Sequence, residues 1–220
     1  MITPVLAQES NYFHYPAGLT EKRYIHSVGL SVADLPEAQV EEVSSVVRAP
    51  LFNYQGRYGM PGNFSLYGAF YSNIATYHIS LGPRWHYSID RLAFSVGYDV
   101  AYWFGVLNHF GYDSKVRGWF HYPNITVGYR FDDLAVTMKA ELILQTSVTN
   151  RQEDVEVSSD KNTFSGYTTG IYIEQPLWKD HIVIIGLKMN YTKFYYPIWV
   201  TFPTFDHYFY IPEITLGYNL

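Results

Sequence analysis

The chain has 220 residues, a length typical of one domain, and a formal net charge of −5, which argues against a nucleic-acid surface of clustered lysine and arginine. It contains no cysteine, which excludes disulfides, thiol catalysis and cysteine-ligated metals. Charged residues make up only 16% and aromatic residues 19%, yet no apolar run approaches the roughly 20 residues of a membrane helix, so the composition favours a membrane barrel over a soluble domain.

The first residues of the chain resemble the end of a secretory signal. Val5 and Ala7 are acceptable residues three and one positions before a cleavage site. Residues 1–22 are therefore predicted to hold a signal remnant followed by an N-terminal periplasmic segment, with a short unstructured terminus as the alternative. The barrel itself is predicted for residues 23–220.

From Arg23 onward, large apolar residues alternate with small or polar ones at a period of two, which is typical of strands with one apolar face. The clearest stretch is Leu92–Gly105, where the inward positions hold glycine, alanine, serine, Asp99 and Trp103. Further strands are predicted at 23–33, 43–55, 63–71, 74–87, 124–131, 134–145, 166–174, 183–192 and 213–220. Because lipid cannot satisfy an open sheet edge, the pattern predicts an all-β, antiparallel, up-and-down transmembrane barrel of ten strands, with eight as the alternative.

The predicted connections differ at the two ends of the barrel. Short links are predicted at Ile89-Asp90, Asp132-Asp133 and Leu177–Asp180, and long polar or aromatic loops after residues 105, 147 and 194. Short turns mark the periplasmic side, so both termini are expected there, and the acidic segments Ala33–Glu42 and Val148–Thr163 are expected to be solvated loops. The tryptophans, namely Trp85, Trp103, Trp119, Trp178 and Trp199, fall near both kinds of link and predict two aromatic girdles.

The C-terminal segment Glu213–Leu220 places Tyr218 and Leu220 on the apolar face of the last strand. With the alternating strands, this segment makes residues 23–220 resemble small bacterial outer-membrane β-barrels, whose terminal strand is recognised by the barrel-assembly machinery. Leu220 stands where that family usually has phenylalanine, and the abundance of tyrosine is similar to that of barrels from Bacteroidota. The resemblance implies an outer-membrane location and contact with outer-membrane lipids, including lipopolysaccharide.

Several charged side chains fall on the predicted inner face. They are Asp99, Arg130, Lys139, Glu141, Glu174, Lys188 and Glu213. Their near balance of sign predicts a cross-lumen ion-pair network that fills a narrow barrel. The alternative is a selectivity ring that lines a pore.

His78 and Ser80 are weak candidates for a catalytic pair, because a base and a nucleophile two residues apart share one strand face. Lipid A deacylase barrels use such a pair. The alternation turns both residues inward, away from lipid, so no catalytic set is predicted. None of the eight histidines has metal-ligand spacing, and no metal or cofactor is expected.

The segment 194–210 is unusually aromatic for a solvated loop. Exposed aromatic residues often mark contact sites, and the predicted partner-binding residues are Tyr195, Tyr196, Trp199, Phe202 and Phe205. The alternative is that this segment folds over the barrel mouth. The chain is therefore expected to be a non-enzymatic accessory or scaffold subunit bound to another outer-membrane protein. The alternatives are a lipid A-modifying enzyme and a narrow solute channel.

Overall fold

The computed structural model describes residues 11–34, 48–73, 75–109, 112–152, 155–178, 181–193, 195–201 and 207–220. Within these ranges the chain forms β1 (Tyr24–Asp34), β2 (Arg48–Met60), β3 (Phe64–Ser72), β4 (Thr76–Ile89), β5 (Leu92–His109), β6 (Tyr112–Arg130), β7 (Ala135–Gln152), β8 (Val155–Trp178), β9 (His181–Thr192), a 3₁₀ helix (Tyr196–Thr201) and β10 (Phe209–Asn219). Neighbouring strands pair antiparallel, and β1 pairs with β10, so the sheet closes on itself. The predicted ten-stranded antiparallel barrel is confirmed.

The alternation of side chains along each strand follows the prediction. On β5, Val96 and Tyr98 are exposed on the outer wall, whereas Ser95 and Asp99 are buried in the interior. The same order of exposure continues through β10, where Ile214 and Leu216 face outward. A closed sheet with an apolar exterior satisfies its backbone hydrogen bonds in lipid, and the protein is an outer-membrane β-barrel. No helix of the described residues is long and apolar enough to cross a membrane.

The turns at the end that carries both termini are short. Gly62, Asn63 and Asp90 have positive φ, which lets the chain reverse tightly between β2 and β3 and between β4 and β5. The link from β6 to β7 occupies residues 131–134. Because such barrels have short turns close to the membrane on the periplasmic side, and the hairpins of β5 to β8 extend farther on the other side, we call this the periplasmic end and the opposite end the extracellular end.

Strand β2 lies about five residues later than predicted, since it spans Arg48–Met60 rather than 43–55. The predicted range stops before Gly56 and Gly59, both of which lie within the strand. Gly59 instead donates its backbone N–H to the carbonyl of Arg23, and the strand continues to Met60. Residues 43–47 lie outside the described part of the chain.

The prediction of long loops after residues 105 and 147 was wrong. Strands β5 and β6 pair out to His109 and Tyr112, and β7 and β8 pair out to Gln152 and Val155. Beyond the membrane the outward side chains need not be apolar, so the period-two signal fades although the hydrogen-bond ladder continues. The link between β9 and β10 is long, as expected. Most of the acidic segment between β1 and β2 lies outside the described residues.

The tryptophans divide between the two faces of the barrel. Trp85 and Trp119 are exposed on the outer wall, whereas Trp103 and Trp199 are almost fully buried in the interior. Trp103 and Trp199 therefore do not belong to an aromatic girdle on the lipid-facing surface of the barrel. The side chain of Trp178 lies outside the described part.

Candidate functional site

The N-terminal segment, Asn11–Arg23, enters the periplasmic end of the barrel. Phe13 and Tyr15 are buried, and the ring of Phe13 packs on the inward-facing ring of Tyr67, 6.0 Å between centroids. The described part of the expected periplasmic segment therefore lies inside the barrel mouth, where it forms a plug. Residues 1–10, which include the predicted signal remnant, lie outside the described residues.

The plug is held on one side by the carboxylate of Glu174, an inward residue of β8 that has no solvent exposure. Its oxygens accept backbone N–H groups from Phe13 at 2.5 Å, from His14 at 3.0 Å and from Tyr15 at 2.8 Å. Hydrogen bonds of this kind are charge-assisted and stronger than neutral ones. Glu174 thus binds peptide groups rather than a basic side chain.

Arg57, an inward residue of β2, holds the carbonyl groups of the same segment. Its Nη1 donates to the carbonyls of Phe13 at 2.8 Å and Tyr15 at 3.0 Å, and its Nη2 donates to that of Ala17 at 2.7 Å. Arg57 is almost completely buried. Loss of the segment would leave two buried charges without these partners, so the plug and its two clamps stabilise one another.

His86 and Ser65 form a third contact with the plug. His86 Nε2 lies 2.6 Å from Ser65 Oγ, and His86 Nδ1 lies 3.0 Å from the carbonyl oxygen of Pro16. Since a carbonyl only accepts, Nδ1 carries a proton, and in the neutral form of the ring Nε2 accepts from the serine hydroxyl. The arrangement resembles an activated nucleophile, but both residues are buried, and His86 is in contact with the backbone of the plug.

Above the plug, three ion pairs lie along the inner wall, within one strand or between neighbouring strands, and not across the lumen as predicted. Arg84 binds Asp99 at 3.0 Å, whereas Lys139–Glu141 and Lys188–Glu213 each have an N–O distance of 2.5 Å. Of the seven charged residues predicted to line the lumen, five lie in these pairs, and Glu174 binds the plug instead. Arg130, half-buried, lies near the periplasmic end beside Ala135.

The extracellular end is closed by the segment around the 3₁₀ helix, here called the cap (residues 195–201). Trp199 and Tyr195 are buried, and the Tyr195 hydroxyl donates to Glu213 at 3.0 Å. Asn73 donates to the carbonyl of Pro197 at 2.6 Å. Gly105 makes room for the indole of Trp199, because a Cβ atom at this position would collide with it.

The cap contains three of the five residues that were predicted to bind a partner. Tyr195 and Trp199 fill the barrel mouth and Tyr196 is half-buried, so these side chains do not form an exposed surface in this structure. Phe202 and Phe205 lie outside the described residues. The geometry corresponds to the alternative in which the aromatic segment folds over the barrel.

A cavity of about 100 Å³ remains between plug and cap. Tyr172 lines this cavity, and His14 of the plug stacks on the Tyr172 ring with centroids 3.9 Å apart. Its ceiling is formed where Tyr196 of the cap stacks on His78, with centroids 4.5 Å apart. The paired charges of Lys139, Glu141, Lys188 and Glu213 line its wall. The cavity is therefore lined by both charged and aromatic side chains and is smaller than a typical ligand pocket.

The weak catalytic pair lies in this cavity. His78 and Ser80 are both buried on the inner face of β4, and His78 Nε2 lies 3.2 Å from the hydroxyl of Tyr122. A lipid-modifying pair would have to face the lipid, and neither of these residues does. Among the described residues, no three histidine, aspartate or glutamate side chains come together as a metal site.

Two interior cations, Arg57 and Arg84, were not predicted from the sequence, although the alternation along β4 indicates the inward position of Arg84. On β4, the outward residues Ile79, Leu81 and Trp85 alternate with inward polar residues, and Arg84 occupies an inward position. The same alternation places Arg57 inside β2, but Arg57 lies two residues beyond the predicted end of that strand.

No protein-family model matches the chain, and no curated protein matches it in sequence. Among solved structures, Neisserial surface protein A is similar over 90% of this chain and 95% of its own, with 12% identity and a TM-score of 0.42. The translocator domain of the autotransporter NalP from Neisseria meningitidis is similar over 89% of this chain and 87% of its own, with 11% identity and a TM-score of 0.47. Outer membrane phospholipase A from Escherichia coli is similar over 98% of this chain and 94% of its own, with 11% identity and a TM-score of 0.38. At these levels the likeness is one of general barrel architecture and carries nothing about activity.

Proposed function

We propose that this protein is a non-enzymatic outer-membrane barrel that acts as an accessory or scaffold subunit of a larger outer-membrane complex. The observation that supports this proposal is the closure of the lumen from both ends, by Glu174 and Arg57 through the plug and by Trp199 through the cap. A barrel whose lumen is filled by a plug, a cap and interior ion pairs acts through its outer wall and its ends rather than through its lumen.

The outer wall suits a protein that stays in the membrane. Exposed aromatic residues lie near the periplasmic end, such as Tyr129, and near the extracellular end, such as Trp119. The ten residues that separate these two on β6 rise about 25 Å along a strand tilted by about 40°, which matches the apolar height of such barrels. We assign these two rows to the membrane interfaces.

The decisive experiment is purification of the full chain from its native membrane in mild detergent. We expect a partner protein to co-purify and to shift the barrel to a larger complex on a native gel. A photoreactive residue at exposed Leu30, Val96 or Met138 should cross-link to that partner from at least one side of the wall. The same residue at Thr168, which lines the cavity, is the matched control and should not. Elution of the barrel alone, with no cross-link from any outward position, would contradict the proposal.

A narrow gated channel is the second candidate, because the plug is held only by hydrogen bonds and packing and has a polar cavity behind it. Planar-bilayer recording separates the two functions. The accessory function predicts no stepwise conductance from the intact protein, whereas regular conductance steps would favour the channel.

A further inference from the structure

A second, smaller cavity lies where the plug meets the interior ion pairs. Its volume is about 30 Å³, and His14 is the plug residue that lines it. A cavity of this size has room for one or two groups as large as a water molecule. Any ligand of this cavity is therefore monatomic or nearly so, and a tetrahedral oxyanion or an organic acid is too large.

The charged side chains on the wall of this smaller cavity are all cations. They are Arg84, Lys139 and Lys188, and the described lining includes no carboxylate. The carboxylates that pair with these cations line the larger cavity on the cap side, and they are Asp99, Glu141 and Glu213. The smaller cavity is thus next to the positive ends of three ion pairs and farther from their negative ends, which favours an anion in it.

Two buried N–H groups of the lining residues also have no acceptor. They are Nδ2 of Asn53 and Nε of Arg84, and the two side chains are only 2% and 8% exposed. The amide of Asn53 is oriented by Gln55, whose Nε2 donates to Asn53 Oδ1 at 3.2 Å and so leaves Nδ2 as a donor. A buried donor without an acceptor is costly, and an anion in the cavity would supply the acceptor.

The plug covers this cavity from the periplasmic side. The ring of His14 stacks on Tyr172, and both residues belong to the lining. Glu174 is the carboxylate nearest to His14 along the plug, but it is bound to plug N–H groups and does not line the cavity. An ion in the cavity would therefore lie between the barrel wall and the plug, and its binding would stabilise the plugged state.

We propose that this cavity is a binding site for a small inorganic anion of the size of chloride, and that the bound anion helps to hold the plug in the barrel. Arg84, Lys139 and Lys188 supply the positive charge, and Asn53 supplies a neutral donor. This inference goes beyond the accessory function and does not depend on it. Water would fit the same volume, so the test separates an anion from water.

The first measurement locates the ion directly. The full-length protein is folded and crystallised with bromide in place of chloride, and the anomalous scattering of bromide marks its position. We expect a bromide peak within hydrogen-bond distance of Asn53 and next to Arg84. The test variant is Asn53→Asp, which keeps the shape of the side chain and adds a negative charge that takes the place of the ion. The matched control is Asn63→Asp in the exposed turn between β2 and β3.

The second measurement follows the plug in solution. The protein is folded into detergent in sodium chloride or in sodium gluconate of equal ionic strength, since gluconate is too large for the cavity. We expect trypsin to cleave after Lys22 or Arg23 several-fold faster in gluconate, both in the unaltered protein and in the Asn63→Asp control. In the Asn53→Asp variant the rate should be the same in both salts, because the new carboxylate replaces the anion.

Three results would overturn the proposal. They are the absence of a bromide peak in the unaltered protein, equal cleavage of that protein in both salts, and a bromide peak that persists in the Asn53→Asp variant. A cavity that holds only water gives the first two of these results. If the Asn53→Asp variant does not fold, which the heat-dependent gel mobility of barrels reports, the bromide peak and the exchange of salts in the unaltered protein still decide the question.

Discussion

A carboxylate oxygen of Glu174 lies 2.5 Å from the backbone nitrogen of Phe13, which is 161 positions earlier in the chain. Glu174 belongs to β8, so its position is set only when most of the barrel has formed. The binding site of the plug therefore exists only in the completed barrel, and the stability of the plug depends on it. This dependence makes Glu174 the best position from which to release the plug without disturbing the outer wall.

Replacement of Glu174 by glutamine should release the plug. The amide oxygen can accept some of the N–H groups of Phe13, His14 and Tyr15, but the amide NH₂ turns a donor toward donors and leaves at least one of them without an acceptor. We expect trypsin to cleave after Lys22 or Arg23 at a rate several-fold above that of the unaltered protein, as followed by intact-mass spectrometry. Glu156→Gln on the exposed end of β8 is the control, and equal cleavage in both variants would show that Glu174 does not hold the plug.

Replacement of Gly128 by valine should displace the plug by steric means alone. A Cβ atom at Gly128 would lie 2.5 Å from Pro16 Cδ and 2.7 Å from Tyr15, well below normal contact. No charge changes in this variant. Release of the plug would therefore show that a loss of space is enough to displace it, without the loss of hydrogen bonds to Glu174. We expect the same increase in trypsin cleavage as in the glutamine variant.

Gly68→Val is the matched control for that change, since it adds the same side chain to a barrel strand. A Cβ atom at Gly68 has its nearest neighbour at 3.4 Å, the end of the flexible Leu81 side chain. The control variant should keep the plug protected. Protection in the Gly128→Val variant as well would mean that the plug does not lie against β6.

The buried pair Arg84–Asp99 should be far more sensitive to substitution than the exposed pair Arg48–Asp34. Asp99→Asn leaves Arg84 charged and buried above the Tyr67 ring, a situation that costs about 3–5 kcal/mol. Asp34→Asn removes an ion pair whose side chains are more than half exposed, and should cost at most about 1 kcal/mol. Reversible unfolding in urea, with the barrel folded into detergent or lipid, measures both free energies.

The double variant Arg84→Met/Asp99→Leu makes that prediction sharper. Because it removes both charges, it should be more stable than Asp99→Asn alone. If the single and double variants unfold at the same urea concentration, the cost does not arise from an uncompensated Arg84.

The outward faces of β5 to β10 could be predicted because lipid requires an apolar residue at nearly every outward position. Leu187 and Leu216 occupy such positions, and both are exposed. The plug could not be predicted, because Glu174 and Arg57 bind its backbone N–H and carbonyl groups, which every residue carries. No pattern of side chains in residues 11–17 distinguishes a segment that inserts from one that stays outside.

The charged interior was partly predictable. Lys188 and Glu213 follow from alternation within long apolar strands, and their partnership follows from the register of β9 and β10. The contact of Ser65 with His86 follows from the register of β3 and β4, whereas the contact of His86 with Pro16 could not be predicted, because it depends on where the plug lies. The extended outer hairpins escaped prediction for a different reason, since solvent imposes no alternation on a paired strand.

Replacement of Gly105 by valine should expel Trp199 from the barrel mouth. The added side chain would occupy the space of the indole, and Val116 restricts the room on its other side. An expelled Trp199 becomes solvated, so its fluorescence should shift to longer wavelength and be quenched more strongly by acrylamide. The contribution of Trp199 among the five tryptophans is obtained by repeating the measurement with Trp199→Phe in each background. Gly68→Val again supplies the control, and an unchanged Trp199 signal in the Gly105→Val protein would show that the cap does not pack against β5.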